Sequence, residues 1–248
     1  MSAFNFEPYV MINKLTNDFL KRFLELGEFL KTNKDVELLS FSTSRPVDKQ
    51  VVDDIERYLF KAKFDERFLA YFQESDGYEL RYKIGSEIEG AIRIPGLEEM
   101  FDNHIGVYTQ KGDYTLKTLG GRDDFEIRSK MYCFDKYDEW QDENRFYSVN
   151  YVVGDNVLLL ADDYDACITD SNPITVPSYF ELCLATAGLV NRRDLLKRNC
   201  DGNYKIIDFP MKSYEGLYPW NKSIDFAKHN TVSAEFNELT KLVKEAKE

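Results

Sequence analysis

The chain has 248 residues, 44 acidic against 32 basic, and a formal net charge of −12 with His neutral. That balance argues against nucleic acid or an anionic membrane as the main partner. An aromatic share of 15% supplies core material and argues against disorder.

A chain of this length buries roughly 70–75% of its unfolded surface, enough for a single domain over 1–248 without staples. The four cysteines, Cys133, Cys167, Cys183 and Cys200, form no C-x-x-C pair, and His104 and His229 lie far apart in the chain. No zinc site of the usual spacing results, and no cofactor is expected. Sparse cysteines in a long chain fit reduced thiols. The opening MSAFNFEPYV lacks a basic region followed by an apolar run, so no signal peptide is expected. No stretch reaches the roughly 18 apolar residues of a membrane span. A cytoplasmic protein is the expectation.

In chain order, residues 17–30 place Phe19, Leu20, Phe23, Leu24, Gly27 and Leu30 on one helical face, with Thr16 or Asn17 as cap. Residues 36–43 predict a short strand. Asp48 then caps a second helix whose buried stripe is Val51, Val52, Ile55, Tyr58 and Leu59. A third helix from about Asp65 carries Phe68, Leu69 and Phe72 inward and is expected to end at Gly77, which tolerates a left-handed conformation. The period then changes to two. YELRYKIG alternates Tyr78, Leu80, Tyr82 and Ile84 against Glu79, Arg81 and Lys83. EGAIRIPG predicts the next strand, LEEMF a turn or short helix, and VYTQKGDYTLKTLGG a hairpin turning near Gly112-Asp113. Three more strand candidates follow in DFEIRSKMYCFD, RFYSVNYVV and GDNVLLLAD, the last with a continuous apolar run from Val157 to Leu160. VPSYFELCLATAGLV reads as a helix ending near Gly188. The tail holds RRDLLKRN, a strand YKIIDF, an aromatic loop SYEGLYPW at 213–220, and an amphipathic helix with Phe236, Leu239, Leu242 and Val243. Helices, then strands, then helices imply an α+β fold, with helices packed on a bent, mostly antiparallel sheet.

Catalytic signatures are scarce. The chain has no G-x-S-x-G, no G-x-x-x-x-G-K-[ST], no G-x-G-x-x-G and no H-E-x-x-H. Glu79-Leu80-Arg81 and Glu126-Ile127-Arg128 approach a nuclease spacing, but Arg stays protonated and cannot act as a base. ADDYDACITD clusters Asp162, Asp163 and Asp165. Three carboxylates suit Ca²⁺ or Mg²⁺, yet the Ca²⁺-loop pattern is unmatched, and a solvated loop or an acidic contact surface explains them as well.

FDKYDEWQDENRFY gathers Asp135, Asp138, Glu139, Asp142 and Glu143 around Trp140, with Asp123 and Asp124 upstream. This is either a charged loop with a tucked aromatic or a protein contact. An exposed Trp ringed by charge has the composition of a binding hot spot, and its charge would speed capture of a basic partner. Loop 213–220 carries the same ambiguity.

The helix VDDIERYL, then FLAYFQESDGYELRY, then strands leading to IPGLEEMF, resemble the SUKH superfamily, immunity proteins related to the yeast Smi/Knr cell-wall-synthesis regulators. Asp76-Gly77 stands where that family has its Asn/Asp-Gly helix end. FYSVNYVVGDNVLLLADDYDACI is similar to its central strands and VPSYFELCLATAG to its closing helix. The resemblance covers about 45–190 and leaves 191–248 as a C-terminal extension. The Leu-Pro that commonly precedes the family's second helix is missing between Phe60 and Phe68, and the stretch 103–146 is longer than in a minimal member. The resemblance implies a structural hinge at Asp76-Gly77, no catalytic residues, and a protein that neutralises a cognate toxin by binding it, a basic protein or a nuclease being the candidate kinds of toxin. A regulatory scaffold of the cell-wall-regulator type and a metal-dependent hydrolase or nuclease at Asp162, Asp163 and Asp165 are the alternatives. Neither direct nucleic-acid binding nor a membrane is expected, and the sequence leaves the oligomeric state open.

Overall fold

The computed structural model describes residues 16, 18–60, 63–85, 88–102, 130–136, 147–162, 167–168, 173–188 and 196. Helix α1, Phe19–Thr32, turns Phe19, Phe23, Leu26, Gly27 and Leu30 inward. Leu24, assigned to that face by spacing, is exposed, and Leu26 fills the core position instead. Strand β1, Glu37–Thr43, lies against α1 where the ring of Phe41 occupies the space a side chain at Gly27 would need.

Helix α2, Lys49–Asp54, is capped by Asp48, whose carboxylate accepts the Gln50 N–H at 2.8 Å. It continues as a π-turn over Ile55–Phe60, which the helical spacing of its apolar residues does not anticipate. Helix α3, Glu66–Glu74, is capped in the same way by Asp65, which accepts the Arg67 N–H at 2.8 Å. Strand β2, Tyr78–Ile84, buries Tyr78, Leu80, Tyr82 and Ile84, the alternate set that period-two spacing selects. It pairs antiparallel with β1 on one side and with β3, Ile88–Ile94, on the other. The ring of Tyr82 lies over Gly90, its cross-strand partner, and its hydroxyl donates to Ala187 O at 2.9 Å. A short helix α4, Leu97–Asp102, follows.

Strands β4 (Met131–Lys136), β5 (Tyr147–Val152), β6 (Val157–Asp162) and β7 (Cys167–Ile168) form a second antiparallel sheet, with β8 (Ile174–Thr175) also paired to β6. The fold is therefore α+β with antiparallel ladders, arranged in two sheets among the described residues. β6 is the buried strand that its apolar run predicts: Val157 to Leu160 are at most 3% exposed. Leu158 and Leu160 join the main core, whereas Val157 and Leu159 pack with Met131 and Val152 on the opposite face.

Helix α5, Val176–Ala185, closes the core. Thr175 is its N-cap residue and a proline occupies its first turn. Phe180 stacks on Tyr71 of α3 with ring centroids 3.8 Å apart and meets Phe19 of α1 edge-on at 4.4 Å. At its C-terminus Ala187 N–H donates to Leu184 O at 3.0 Å and Gly188 N–H to Cys183 O at 2.7 Å. That paired closure satisfies carbonyls the helix would otherwise leave open. It places Ala187 at φ 50°, and Gly188 O then accepts the Ala91 N–H of β3 at 2.8 Å. The core draws on residues outside 45–190, since α1 and Leu196 are buried in it. No helix among the described residues is long and apolar enough to cross a membrane. The hairpin at 107–121, the aromatic loop at 213–220 and the last amphipathic helix lie outside the described residues.

Candidate functional site

The hinge at 75–77 is an architectural joint. α3 stops at Glu74, and Ser75 is its C-cap in extended conformation, φ −156°. The helix thus ends before the expected Gly77. Gly77, at φ 123°, precedes β2, and a Cβ there would meet Ile94 O at 3.3 Å and Gly96 N at 3.4 Å. Asp76 does not cap its own helix either. Its Oδ1 accepts the Leu97 N–H at 2.7 Å and so starts α4. Burial raises the Asp76 carboxyl above its ordinary range, against the opposing pull of that N–H. The Ser75 hydroxyl accepts the Ser44 N–H at 3.0 Å and lies 2.8 Å from Gly77 O, closing the joint against the end of β1.

Asp135 is not a contact residue. It is fully buried, although its position at the head of an acidic segment suggests exposure. The pairing of β4 with β5 shifts by one residue between Cys133 and Asp135, a bulge at Phe134. Phe134 and Asp135 consequently both lie inside. The carboxylate accepts the Arg93 N–H of β3 at 3.1 Å and the hydroxyl of Tyr179 on α5. It ties the edges of the two sheets together through a side chain, and it fixes α5 to both. A buried carboxylate is tolerable only with donors of this kind.

The remaining candidates Asp138, Glu139, Trp140, Asp142 and Glu143 lie outside the described residues, as do Asp163 and Asp165. Asp162 is described by its backbone, as the last residue of β6. The strand ends and their register relate the two acidic segments all the same. Lys136 pairs with Ser148, Tyr147 with Asp162, and Asp162 with Cys167. The connections 137–146 and 163–166 therefore leave and re-enter at the same end of the second sheet. Together they carry six carboxylates, Trp140 and a single cation, Arg145.

Other buried carboxylates serve the framework. Glu181 of α5 is fully buried and binds Arg22 of α1 through both terminal guanidinium nitrogens, Nη1 at 3.0 Å. Glu74 accepts the Leu20 N–H at 3.1 Å and the Thr16 hydroxyl, capping the start of α1 from α3, a service that Asp18 does not perform for its own helix. Spacing carries no sign of either clasp, because each joins residues more than fifty positions apart. Among the described residues no group of three His, Cys, Asp or Glu side chains is placed to hold a metal ion. Cys133 and Cys183 are buried thiols. No protein-family model matches the chain, and no curated protein matches it.

Proposed function

We propose that this chain is a cytoplasmic, non-enzymatic binding protein that neutralises a cognate toxin by direct contact, using the acidic end of its second sheet. The observation that carries the reading is the register of β4, β5, β6 and β7, which brings the ends of both acidic connections together. The resemblance of 45–190 to the SUKH superfamily supports the class of partner. Short connections held by a rigid sheet suit recognition, and the buried bonds of Asp135 supply that rigidity one residue before β4 ends. Carboxylates carried by connections that start and end there attract a basic surface and speed encounter.

Co-expression tests the reading. Each toxin domain encoded beside the gene is produced with and without this chain, and growth and complex formation are measured. Rescue of growth by one of them, with a complex that survives purification, is the expected result. Failure to bind or neutralise any neighbouring toxin would overturn the proposal.

A further inference from the structure

We propose that Arg57 and Tyr58 form a second protein-recognition surface, which takes a segment presenting a carboxylate beside an apolar side chain. The starting observation is a departure from helical spacing. Val51, Val52, Ile55 and Tyr58 would share one face of an α-helix. Ile55 is indeed buried, but Tyr58 is 68% exposed. The π-turn over Ile55–Phe60 is the cause: with more residues per turn, a position three beyond Ile55 no longer returns to the core face.

The inner side of this turn is fixed by its own partners. The Glu56 carboxylate points inward, accepts the Phe64 N–H at 3.0 Å and pairs with Lys63. Phe60, half-buried, packs against the core, with ring centroids 4.8 Å from Phe101, 5.4 Å from Phe64 and 5.6 Å from Tyr132.

The outer side carries a matched pair. The Arg57 guanidinium lies over the Tyr58 ring, 5.9 Å from its centroid. Asp54, three residues before Arg57, is engaged by Gln50 at 2.9 Å. Lys63 is committed to Glu56, with Asp53 also acting on it. Among the described residues no carboxylate pairs with Arg57. At 5.9 Å from the centroid the guanidinium lies near the ring without stacking on it, and its N–H groups remain available to a bidentate carboxylate. The exposed ring beside it offers apolar area at small entropic cost, and Tyr and Arg are the residue types that dominate interface energetics. Charge complementarity therefore selects an acidic group for Arg57 and an apolar neighbour for Tyr58.

Peptide selection tests the surface directly. A displayed library of random twelve-residue peptides is panned on the full chain and counter-selected on the Arg57→Ala, Tyr58→Ala double variant. Both side chains lie on the outer side of the turn, so the variant should melt with the wild type, which thermal unfolding verifies. The expected result is enrichment of peptides with Asp or Glu next to an apolar residue, binding the double variant roughly thirtyfold or more weakly, the scale of lost hot spots. Arg57→Lys should lose part of that affinity, since an ammonium keeps the charge without the fork. Absence of any peptide that distinguishes wild type from variant would overturn the proposal. So would enrichment of basic peptides, or acidic peptides that bind both proteins equally. None of these outcomes depends on the toxin reading.

Discussion

The hydroxyl of Tyr179 on α5 donates to the carboxylate of Asp135 on β4, and both residues are fully buried. The same carboxylate takes the Arg93 N–H of β3, so one side chain joins two sheets and a helix. Asp135→Ala removes an acceptor from two buried or half-buried donors and opens a small cavity. Its expected cost is about 2–4 kcal/mol. Asp135→Asn keeps an acceptor for Arg93 and lets the Tyr179 hydroxyl accept in turn, so it should cost less than half as much. Urea unfolding of the two variants checks the order. Equal losses would show that the charge, and not its hydrogen bonds, holds the joint.

The joint at 75–77 has two separable parts. Gly77 sits at φ 123° with backbone atoms on the side where a Cβ would stand. Gly77→Val should therefore cost more than about 1 kcal/mol, through backbone strain and crowding together. Asp76 caps α4 through the Leu97 N–H, and Asp76→Ala should cost about 1 kcal/mol. Thermal or urea unfolding measures both. A change within about 0.5 kcal/mol at Gly77, the range of neutral surface substitutions, would mean that the strand start relaxes around the new side chain.

Much of this fold was legible because local rules and tertiary packing agree. The alternation in YELRYKI became β2 with the same four residues inside, and Asp48 and Asp65 both cap the helices that follow them. The apolar run at 157–160 became a strand covered on both faces. What spacing could not reveal are events that depend on residues distant in sequence. Asp135 is buried because a bulge turns it toward Arg93 and Tyr179, neither of them nearby in the chain. Tyr58 is exposed because the chain follows a π-turn over Ile55–Phe60, at the end of which Phe60 packs on Phe101 and Tyr132, both distant in sequence. Of the candidate site, sequence identified the acidic segments, and only strand register shows that their ends meet.

Glu74 gives a pH dependence with a definite sign. Burial is the largest influence and raises its carboxyl above the ordinary value of 4.5, while the Thr16 hydroxyl, the Leu20 N–H and Arg22 pull it down and Asp18 pushes it up. A folded-state value above the unfolded one means that the contribution is fully present below about pH 4.5 and is lost as pH rises through the folded value. Glu74→Gln removes the charge and keeps an acceptor for the start of α1. The stability of wild type minus that of Glu74→Gln should therefore fall as pH rises from about 4 toward neutrality. Urea unfolding across that interval measures it. A difference that grows with pH would show that the capping bonds to α1 outweigh the burial of the carboxylate.

The acidic end of the second sheet makes the last prediction, which rests on a basic toxin as partner. Asp138, Glu139 and Glu143 lie in the connection that leaves β4 at Lys136 and returns at Tyr147, and Tyr147 pairs with Asp162, where the other acidic connection begins. Long-range attraction between such a surface and a basic partner acts before contact, so it governs association. Reversing the three carboxylates to Lys changes the local charge by six units. The association rate should drop, most at low salt, where screening is weakest. A hydrophobic anchor acts after contact, so Trp140→Ala should speed dissociation and cost roughly 2 kcal/mol or more of binding. Surface plasmon resonance at two salt concentrations separates these effects, and thermal unfolding verifies that both variants remain folded. If the charge variant slows association and the Trp variant speeds dissociation, the two terms are located on this connection. If both variants bind as the wild type does, the contact lies elsewhere, and Asp162 to Asp165 or Tyr214 to Trp220 become the segments to alter next.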